Sequence, residues 1–328
     1  MQTAKQAILA RMKGEKADFI PEFYSVVKEI VYPGERFIDL KNFDPYGTGP
    51  DAWGVMWTNQ GPNPAVDGNT VAKDFRLFED ITEWKEKVKF PKFSKFVLRM
   101  IFKGMMKGMA VDRKEHVVSC LMLSGAFERM NQMIGFENAL CAFYEEPEAT
   151  KEFLNAMCEY KLKCIELAHK VLKPDVIHMH DDWGTNDNMF FSPEIWREFI
   201  KPLEKRYADK IHELGMIYMH HSCGYITQII PDLVEIGVEM LNPLEVKAGM
   251  DPSKLKRLYG DKLAFHGGIN AQIWDKPELV RAEMERIIPA MKAGGGYVFS
   301  SDHSIPNSVS LDGMRMIAAL AKELGKYH

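Results

Sequence analysis

Short apolar runs alternate with amphipathic segments through the C-terminal two-thirds of the chain. The runs have the length and the β-branched or aromatic content of buried strands. They cover residues 116–123, 175–180, 216–221, 238–243, 262–268 and 296–301. The segments between them show helical signals; one begins with Ser192 as a cap and Pro193 in its first turn, and it ends at Gly215. Strands that alternate with helices predict a parallel sheet with right-handed crossovers.

At least six such strand–helix units predict an α/β fold. They favour a (β/α)8 TIM-type barrel over an open sheet. We predict a single barrel domain over residues 1–328, with the main barrel units in 111–328. Residues 1–110 are predicted to form an irregular N-terminal extension and cap. Within them, residues 41–68 are dense in Gly, Pro, Asp and Trp, which indicates turns and short strands.

Polar residues at the ends of the apolar runs carry the candidate chemistry. The carboxyl ends of barrel strands converge on one mouth, where barrel enzymes act. Each residue alone has a structural explanation, such as capping a helix, but five strand ends of this kind together favour a functional site. These residues are Asp181, Asp182, His220, His221, Cys223, Glu245, His266, Asp302 and His303.

The residue types predict a zinc site. Zinc binds about four His, Cys or carboxylate side chains in a tetrahedron. Residues i and i+2 of an extended segment point the same way, so the H-x-C pair of residues 221 and 223 can bind one ion, whereas His220 is expected to face the other side and pack. His266 either orients a ligand or takes the place of one. The predicted ligands are His221, Cys223, Glu245 and His303.

Composition and charge narrow the function classes. The net charge of −4 gives no basic excess for nucleic acid or an anionic membrane. Residues 87–109 are the basic exception, rich in Phe and Met, and fit a surface helix or else a docking site for a protein partner. The chain shows no apolar run of about 18 residues and no signal-peptide pattern. With five cysteines outside any disulfide framework, we predict a cytoplasmic protein.

Five segments carry a resemblance to a known family: DVIHMHDDWGT, SPEIWREFIKP, HHSCGYITQIIPDLVEIGVEMLNPLE, LAFHGGIN and GGGYVFSSDHSIP. They resemble the uroporphyrinogen decarboxylase superfamily, and within it the zinc methyltransferases that work with corrinoid proteins. The resemblance covers roughly residues 110–325 and implies a (β/α)8 barrel. In the coenzyme M methyltransferases of the superfamily, the zinc motif is H-x-C followed by a distant Cys, with a Glu at the intervening strand end. Here His221 and Cys223 match H-x-C, Glu245 matches the Glu, and the distant Cys is missing, with His303 in that segment instead.

The ligand types favour one branch of this group. True decarboxylases are metal-free and carry an Arg-rich N-terminal motif, which the single Arg11 does not reproduce. A ligand set with one thiolate leaves a harder zinc, suited to polarising an oxygen leaving group. That picture resembles the O-demethylase methyltransferases of acetogens and related anaerobes, which move a methyl group from a phenyl methyl ether to cobalt(I) of a separate corrinoid protein. The chain has no D-x-H-x-x-G corrinoid motif, so a corrinoid protein is expected as a partner. Our hypothesis is that it docks beside residues 87–109.

The remaining residues receive provisional roles. Asp181, Asp182 or His266 could supply or relay the proton that the leaving oxygen needs. An aromatic substrate pocket could use Tyr46, Trp53, Trp57, Phe127 and Trp183. Three alternatives stay open: methyl transfer from or to a thiol, an amine or a halide; a metal-free decarboxylase-like enzyme; and a non-catalytic barrel that binds a corrinoid or a small aromatic. A homodimer is also considered.

Overall fold

A curled parallel β-sheet forms the centre of the computed structural model, which describes residues 2–13, 15, 19–21, 23–33, 48–59, 69–92 and 94–326. The strands are β1 (Val27–Val31), β2 (Gly49–Pro50), β3 (Met56–Asn59), β4 (Asn69–Val71), β5 (Val117–Met122), β6 (Val176–His180), β7 (Ile217–His221), β8 (Met240–Asn242), β9 (Ala264–His266) and β10 (Tyr297–Val298). Among the described residues, seven strands form one parallel sheet in the order β1-β5-β6-β7-β8-β9-β10. The strands β2, β3 and β4 form a small antiparallel sheet.

Helices alternate with the strands of the parallel sheet. The α-helices are Ala4–Met12, Phe23–Val26, Trp84–Lys87, Lys95–Gly108, Ala126–Ile134, Phe136–Glu145, Pro147–Val171, Pro193–Ile195, Lys201–Glu213, Ile230–Ile236, Pro252–Tyr259, Pro277–Lys292 and Leu311–Leu324. A π-helical turn, Trp196–Ile200, joins two of them. The predicted cap is confirmed, since Ser192 Oγ accepts a hydrogen bond from the Ile195 N–H at 3.3 Å. Among the described residues, no helix combines the length and the apolarity that crossing a bilayer requires.

The two faces of the parallel sheet are buried against different partners. Because side chains alternate along a strand, one face packs under the surrounding helices and the other lines the inside of the curl. At the amino-terminal end, this inner face is apolar and packs against Ile8 and Met12 of the first helix. The inner residues of this apolar layer are Val27, Val117, Val176, Ile217, Met219, Met240, Ala264 and Val298.

The edges of the sheet approach each other. The Phe299 N–H, after β10, donates to the Pro21 carbonyl at 3.0 Å, and the Phe23 N–H donates to the Phe299 carbonyl at 3.1 Å. Pro21 and Phe23 lie just before β1, at the opposite edge. The predicted α/β class with a parallel sheet is thus confirmed, and the curl is consistent with a TIM-type barrel. The eight-stranded form stays a prediction, because the described residues contribute seven strands.

The predicted N-terminal extension supplies an edge strand to this sheet. Strand β1 pairs with β5 from Val27↔Val117 to Val31↔Leu121. Its sequence, VKEIV, carries two charged residues, so no apolar run marks it as a strand. The strand brings Glu29 onto the inner face, two residues after Val27.

A buried ion pair ties the small antiparallel sheet to the main body. Asp51 Oδ2 lies 2.8 Å from Arg129 Nη1, and the two side chains are 1% and 0% exposed. The same carboxylate accepts hydrogen bonds from the N–H groups of Trp53 and Val55, each at 2.9 Å, and from Trp57 Nε1 at 3.0 Å. These donors compensate the carboxylate for its lost hydration.

We expect Asp51→Ala to lower the free energy of unfolding by about 3–5 kcal/mol, because it leaves the Arg129 charge buried without its carboxylate. Urea denaturation measures the change. Glu152→Ala is the matched control, since it removes an exposed ion pair with Lys85 and should cost less than about 1 kcal/mol. Equal, small losses in the two variants would contradict the expectation.

Candidate functional site

Two neighbouring strand ends bring together four side chains of types that can bind a metal. His180 of β6 and His221 of β7 are register partners, and their rings stack with centroids 4.1 Å apart. Asp182 and Cys223 follow two residues later on each segment. Cys223 Sγ lies 3.3 Å from His221 Nε2, and Asp182 Oδ1 lies 3.6 Å from the same nitrogen. We call these four residues the mouth cluster, because they lie at the carboxyl end of the sheet.

The loops after β6 and β7 are bonded to each other, which holds Asp182 against Cys223. The Cys223 N–H donates to Asp182 Oδ1 at 2.7 Å. The two backbones also touch, because a Cβ on Gly224, whose φ is +79°, would lie 2.3 Å from the carbonyl carbon of Gly184. A larger residue would push the loops apart, so the glycine pair permits the cluster.

Asn242 of β8 sets the tautomers of two histidines. Its Oδ1 lies 2.7 Å from His221 Nδ1, and its Nδ2 lies 2.6 Å from His266 Nδ1. With this orientation of the amide, His221 carries its proton on Nδ1 and presents the Nε2 lone pair to Cys223. His266 accepts at Nδ1 and carries its proton on Nε2.

The imidazoles of the site differ in charge. Burial and then the charge of His180 lower the pKa of His221 well below its ordinary value. Burial and then His178 lower the pKa of His266 to about 3. Burial would also lower the pKa of His180, but the Glu128 carboxylate, 2.9 Å from its Nδ1, outweighs burial and raises that pKa to about 9. At neutral pH His180 is therefore a cation beside two neutral histidines.

Acidic groups crowd the thiol. Burial and then the charge of Glu128 raise the pKa of Asp181 and of Asp182. Burial, followed by the charges of Asp182 and Glu245, raises the pKa of the Cys223 thiol. A divalent cation at this point would reverse the balance, because it favours both carboxylate and thiolate.

The donor atoms have the spacing of zinc ligands. Bonds of about 2.0–2.3 Å in a tetrahedron place ligand atoms about 3.3–3.8 Å apart. The distances from His221 Nε2 to Cys223 Sγ and to Asp182 Oδ1 are 3.3 and 3.6 Å. One donor atom each of His180, Asp182 and His221 lies within 4.8 Å of the others. His180 and the Cys223 thiol would each have to lose a proton on binding an ion, whereas His221 already presents a nitrogen lone pair.

Glu245, a predicted zinc ligand, lies next to the mouth cluster. Its Oε2 accepts a hydrogen bond from the Gly224 N–H at 2.7 Å, one residue beyond Cys223. Its Oε1 lies 3.2 Å from Lys247 Nζ. The carboxylate is thus engaged by two donors in this arrangement.

His303, the other predicted ligand, has an exposed side chain. Its carbonyl accepts a hydrogen bond from Ser301 Oγ at 2.6 Å. The preceding residue, Asp302, is buried and accepts hydrogen bonds from the N–H groups of Val246 and Ala271 at 3.0 and 2.7 Å. Asp302 therefore joins the loops after β8 and β9, while His303 points elsewhere.

The residues predicted to move protons occupy different surroundings. Asp181 accepts hydrogen bonds from the N–H groups of Phe127 and Glu128 at 3.2 and 2.8 Å, at the start of the helix that follows β5. His266 stacks on Phe23 with ring centroids 4.0 Å apart. Of the predicted proton-transfer residues, Asp182 is the one that belongs to the mouth cluster.

The predicted aromatic pocket residues are buried packing residues where the structure describes them. Trp53, Trp57, Phe127 and Trp183 are at most 5% exposed. Trp183 stacks on His220 with centroids 4.3 Å apart, which confirms that His220 faces away from the cluster. Tyr46 lies outside the described residues.

Sequence reasoning missed an inner cleft lined by polar side chains. Below the mouth cluster, Glu29 Oε2 lies 2.6 Å from His178 Nδ1 and accepts a hydrogen bond from Ser119 Oγ at 3.2 Å. The alternation of His178, His180 and Asp182 carries the same i, i+2 signal as the H-x-C motif and could have been found. Glu29 gave no such signal, because its strand is not apolar.

The chain is similar to known proteins in sequence and in structure. Residues 70–324 match the family described as Uroporphyrinogen decarboxylase (URO-D). A uroporphyrinogen decarboxylase from Methylococcus capsulatus is 21% identical over 180 residues, 52% of this chain and 47% of that protein, so the chain spans about half the length of this curated relative. A methyltransferase from Methanosarcina mazei is similar in structure, with a TM-score of 0.70 over 98% of this chain and 99% of that chain, at 17% identity. At 17% identity, the similarity to this methyltransferase shows a shared fold alone.

In chelator-treated protein, we expect His180 to keep its proton up to about pH 9, as followed by NMR of the imidazole. Glu128→Gln should lower this pKa, because burial then acts without the opposing carboxylate. The raised pKa stabilises the fold fully below the ordinary histidine value of about 6.5, and this stabilisation is lost as the pH rises to about 9.

Glu159→Gln is the control for this titration, since it removes an exposed carboxylate paired with Arg206. It should leave the His180 pKa unchanged. A wild-type His180 that loses its proton below pH 6.5 would refute the Glu128 pairing.

Proposed function

Because the chain belongs to the uroporphyrinogen decarboxylase family, we propose that it is a zinc-dependent methyltransferase of this family. It would cleave a methyl ether, by preference of a methoxylated aromatic, and pass the methyl group to cobalt(I) of a separate corrinoid protein. The observation that carries this proposal is the His221–Cys223 pair at tetrahedral spacing, faced by Asp182. The similar fold of the Methanosarcina mazei methyltransferase supports it.

His221, Cys223 and Asp182 would hold the zinc. Glu245, bonded beside Cys223, is our candidate for the fourth position, whereas the exposed His303 would have to turn inwards. When bound, zinc supplies a Lewis acid that takes up the charge developing on the ether oxygen. Asn242 keeps the His221 lone pair directed at the metal position, as partners of metal-bound histidines commonly do.

His180 is our candidate for the proton donor to the leaving oxygen. Its imidazolium is paired with Glu128 and stacks on His221. By contrast, His266 is neutral at every pH near 7, and the Asp181 oxygens are engaged by two backbone N–H groups. Proton donation in this step relieves the poor leaving ability of an alkoxide or aryloxide.

The corrinoid partner would dock near the amino-terminal half of helix Lys95–Gly108. This helix is joined to the start of β5 by residues 109–116, so its carboxyl end lies away from the mouth and its amino end lies toward it. Phe96 and Met100 in that half are 71% and 60% exposed, among basic residues. An acidic partner face with an apolar centre would match this surface.

Decarboxylation is the second candidate, favoured by the curated relative of that name. A metal-free decarboxylase would use the carboxyl groups of the cleft without a metal. A substrate with many carboxylates is disfavoured, because His180, His178 and Lys247 already pair with Glu128, Glu29 and Glu245. Metal content therefore separates the two candidates.

We expect purified protein reconstituted with zinc to bind about one ion per chain. Cys223→Ala and His221→Ala should each weaken binding at least about tenfold, because each removes a ligand. Metal analysis after dialysis measures this. Cys141→Ala, which changes an exposed free cysteine, is the matched control and should bind zinc normally. Absence of zinc from the wild type would favour the decarboxylase.

We expect zinc-loaded protein to methylate cob(I)alamin from a methoxylated aromatic, as followed by the absorbance change on methylcobalamin formation. Cys223→Ala should lower the rate at least about 100-fold, because the ether oxygen loses its Lewis acid. Cys141→Ala should retain the wild-type rate. With a corrinoid protein as acceptor, Lys95→Glu should slow transfer while transfer to free cob(I)alamin is unchanged. Transfer that survives Cys223→Ala would contradict the proposed role of the metal.

A further inference from the structure

The inner cleft contains a carboxylate that the proposed reaction does not use. Glu29 lies on the inner face of β1, two residues above the apolar layer that closes the amino-terminal end. Its Oε2 contacts His178 Nδ1 at 2.6 Å and Ser119 Oγ at 3.2 Å. Its Oε1 makes no hydrogen bond to any of the described residues.

This free oxygen is accessible to a small molecule. The side chain of Glu29 is 28% exposed although it points into the curl of the sheet, whereas that of His178 is 5% exposed. An open cleft therefore reaches the carboxylate. In the mouth cluster, the side chains of Asp182 and His221 are likewise partly exposed, at 29% and 18%.

The carboxylate is ionised and lies close to the mouth cluster. Burial raises the pKa of Glu29, but the charge and hydrogen bond of His178 outweigh burial and lower it. His178 lies between Glu29 and the mouth cluster, since its ring centroid is 6.0 Å from that of His221. One side chain thus separates Glu29 from the proposed metal ligands, a span that a single small substrate can bridge.

An ionised carboxylate with one unbonded oxygen favours ligand groups that can donate a hydrogen bond. It accepts hydrogen bonds and cannot donate them, so it fits a hydroxyl group and repels a carboxylate or sulfonate. A buried acceptor left without a donor also costs binding energy, so an ether in place of the hydroxyl is disfavoured.

We propose that Glu29 Oε1 binds a free hydroxyl group of the methyl donor, which makes the substrate a methoxylated phenol. This inference deepens the proposed function and rests on it for the methoxy group. Glu29 thereby determines specificity, while the methyl group lies at the mouth cluster. A methoxylated aromatic acid is a poorer ligand, because its carboxylate would face the ionised Glu29 carboxylate.

Calorimetry of the wild-type, zinc-loaded protein tests the proposal without any methyl transfer. The probes are 2-methoxyphenol, 1,2-dimethoxybenzene, 2-methoxybenzoate and tetramethylammonium. We expect 2-methoxyphenol to bind about 10–100-fold more tightly than 1,2-dimethoxybenzene, as one hydrogen bond to a charged group predicts. Equal binding of these two, absence of binding, or tighter binding of either ion would overturn the proposal.

Two variants test whether Glu29 causes the preference for 2-methoxyphenol over 1,2-dimethoxybenzene. Glu29→Gln should reduce the preference for 2-methoxyphenol at least about fivefold, because the amide is a weaker acceptor. Ser119→Ala is the matched control, since it removes a neighbour of Oε2 and leaves Oε1 in place. A preference that persists in Glu29→Gln would also overturn the proposal. The wild-type comparison stands alone if a variant does not fold.

The outcome is distinguishable from that of the methyl-transfer assay. If the preference is found and methyl transfer is not, the proposed function fails and the hydroxyl site at Glu29 stands. If methyl transfer occurs equally from 2-methoxyphenol and 1,2-dimethoxybenzene and both bind equally, the hydroxyl site fails and the methyltransferase stands.

Discussion

The parallel register between β6 and β7 is the constraint on which the site depends. It sets His180 beside His221, so that both side chains project from the same pleat. A slip of one residue would turn His221 to the outer face and bring His220 inside, because side chains alternate along a strand. The outer face stabilises the observed register, since His220 there stacks on the buried Trp183. Packing on one side of the sheet thus sets the chemistry on the other.

The inner face changes from apolar to charged along the strands. At the amino end, valines and the first helix exclude water; toward the carboxyl end come Glu29, then His178, then the mouth cluster. These groups compensate one another in pairs, as His180 with Glu128 and His178 with Glu29 show. In the His180–Glu128 pair, each partner keeps the other ionised inside the protein, where a single charge would be neutralised. Such an interior would suit the zinc ion and the polar substrate that we propose better than a hydrophobic ligand.

The periodicity of apolar and polar residues predicted those parts of the fold and the site that depend on residues close together in sequence. The apolar runs predicted β5 to β10, and the spacing of His221 and Cys223 predicted their contact. Strand β1 escaped prediction because its charged residues are compensated by partners distant in sequence, such as His178, 149 residues away from Glu29. The burial of the aromatic residues could not be predicted for a related reason. Trp57 is held by a buried carboxylate, an interaction that composition alone cannot show.

The apolar layer at the amino-terminal end also determines how a small molecule can enter and leave the cleft. Among the described residues, it closes the cleft beneath Glu29, so the path for a small molecule runs through the mouth. A cleft with one opening is filled and emptied from the same side. A large protein seated over that opening would then trap whatever lies below it, and entry before docking and departure after undocking become the natural order of events.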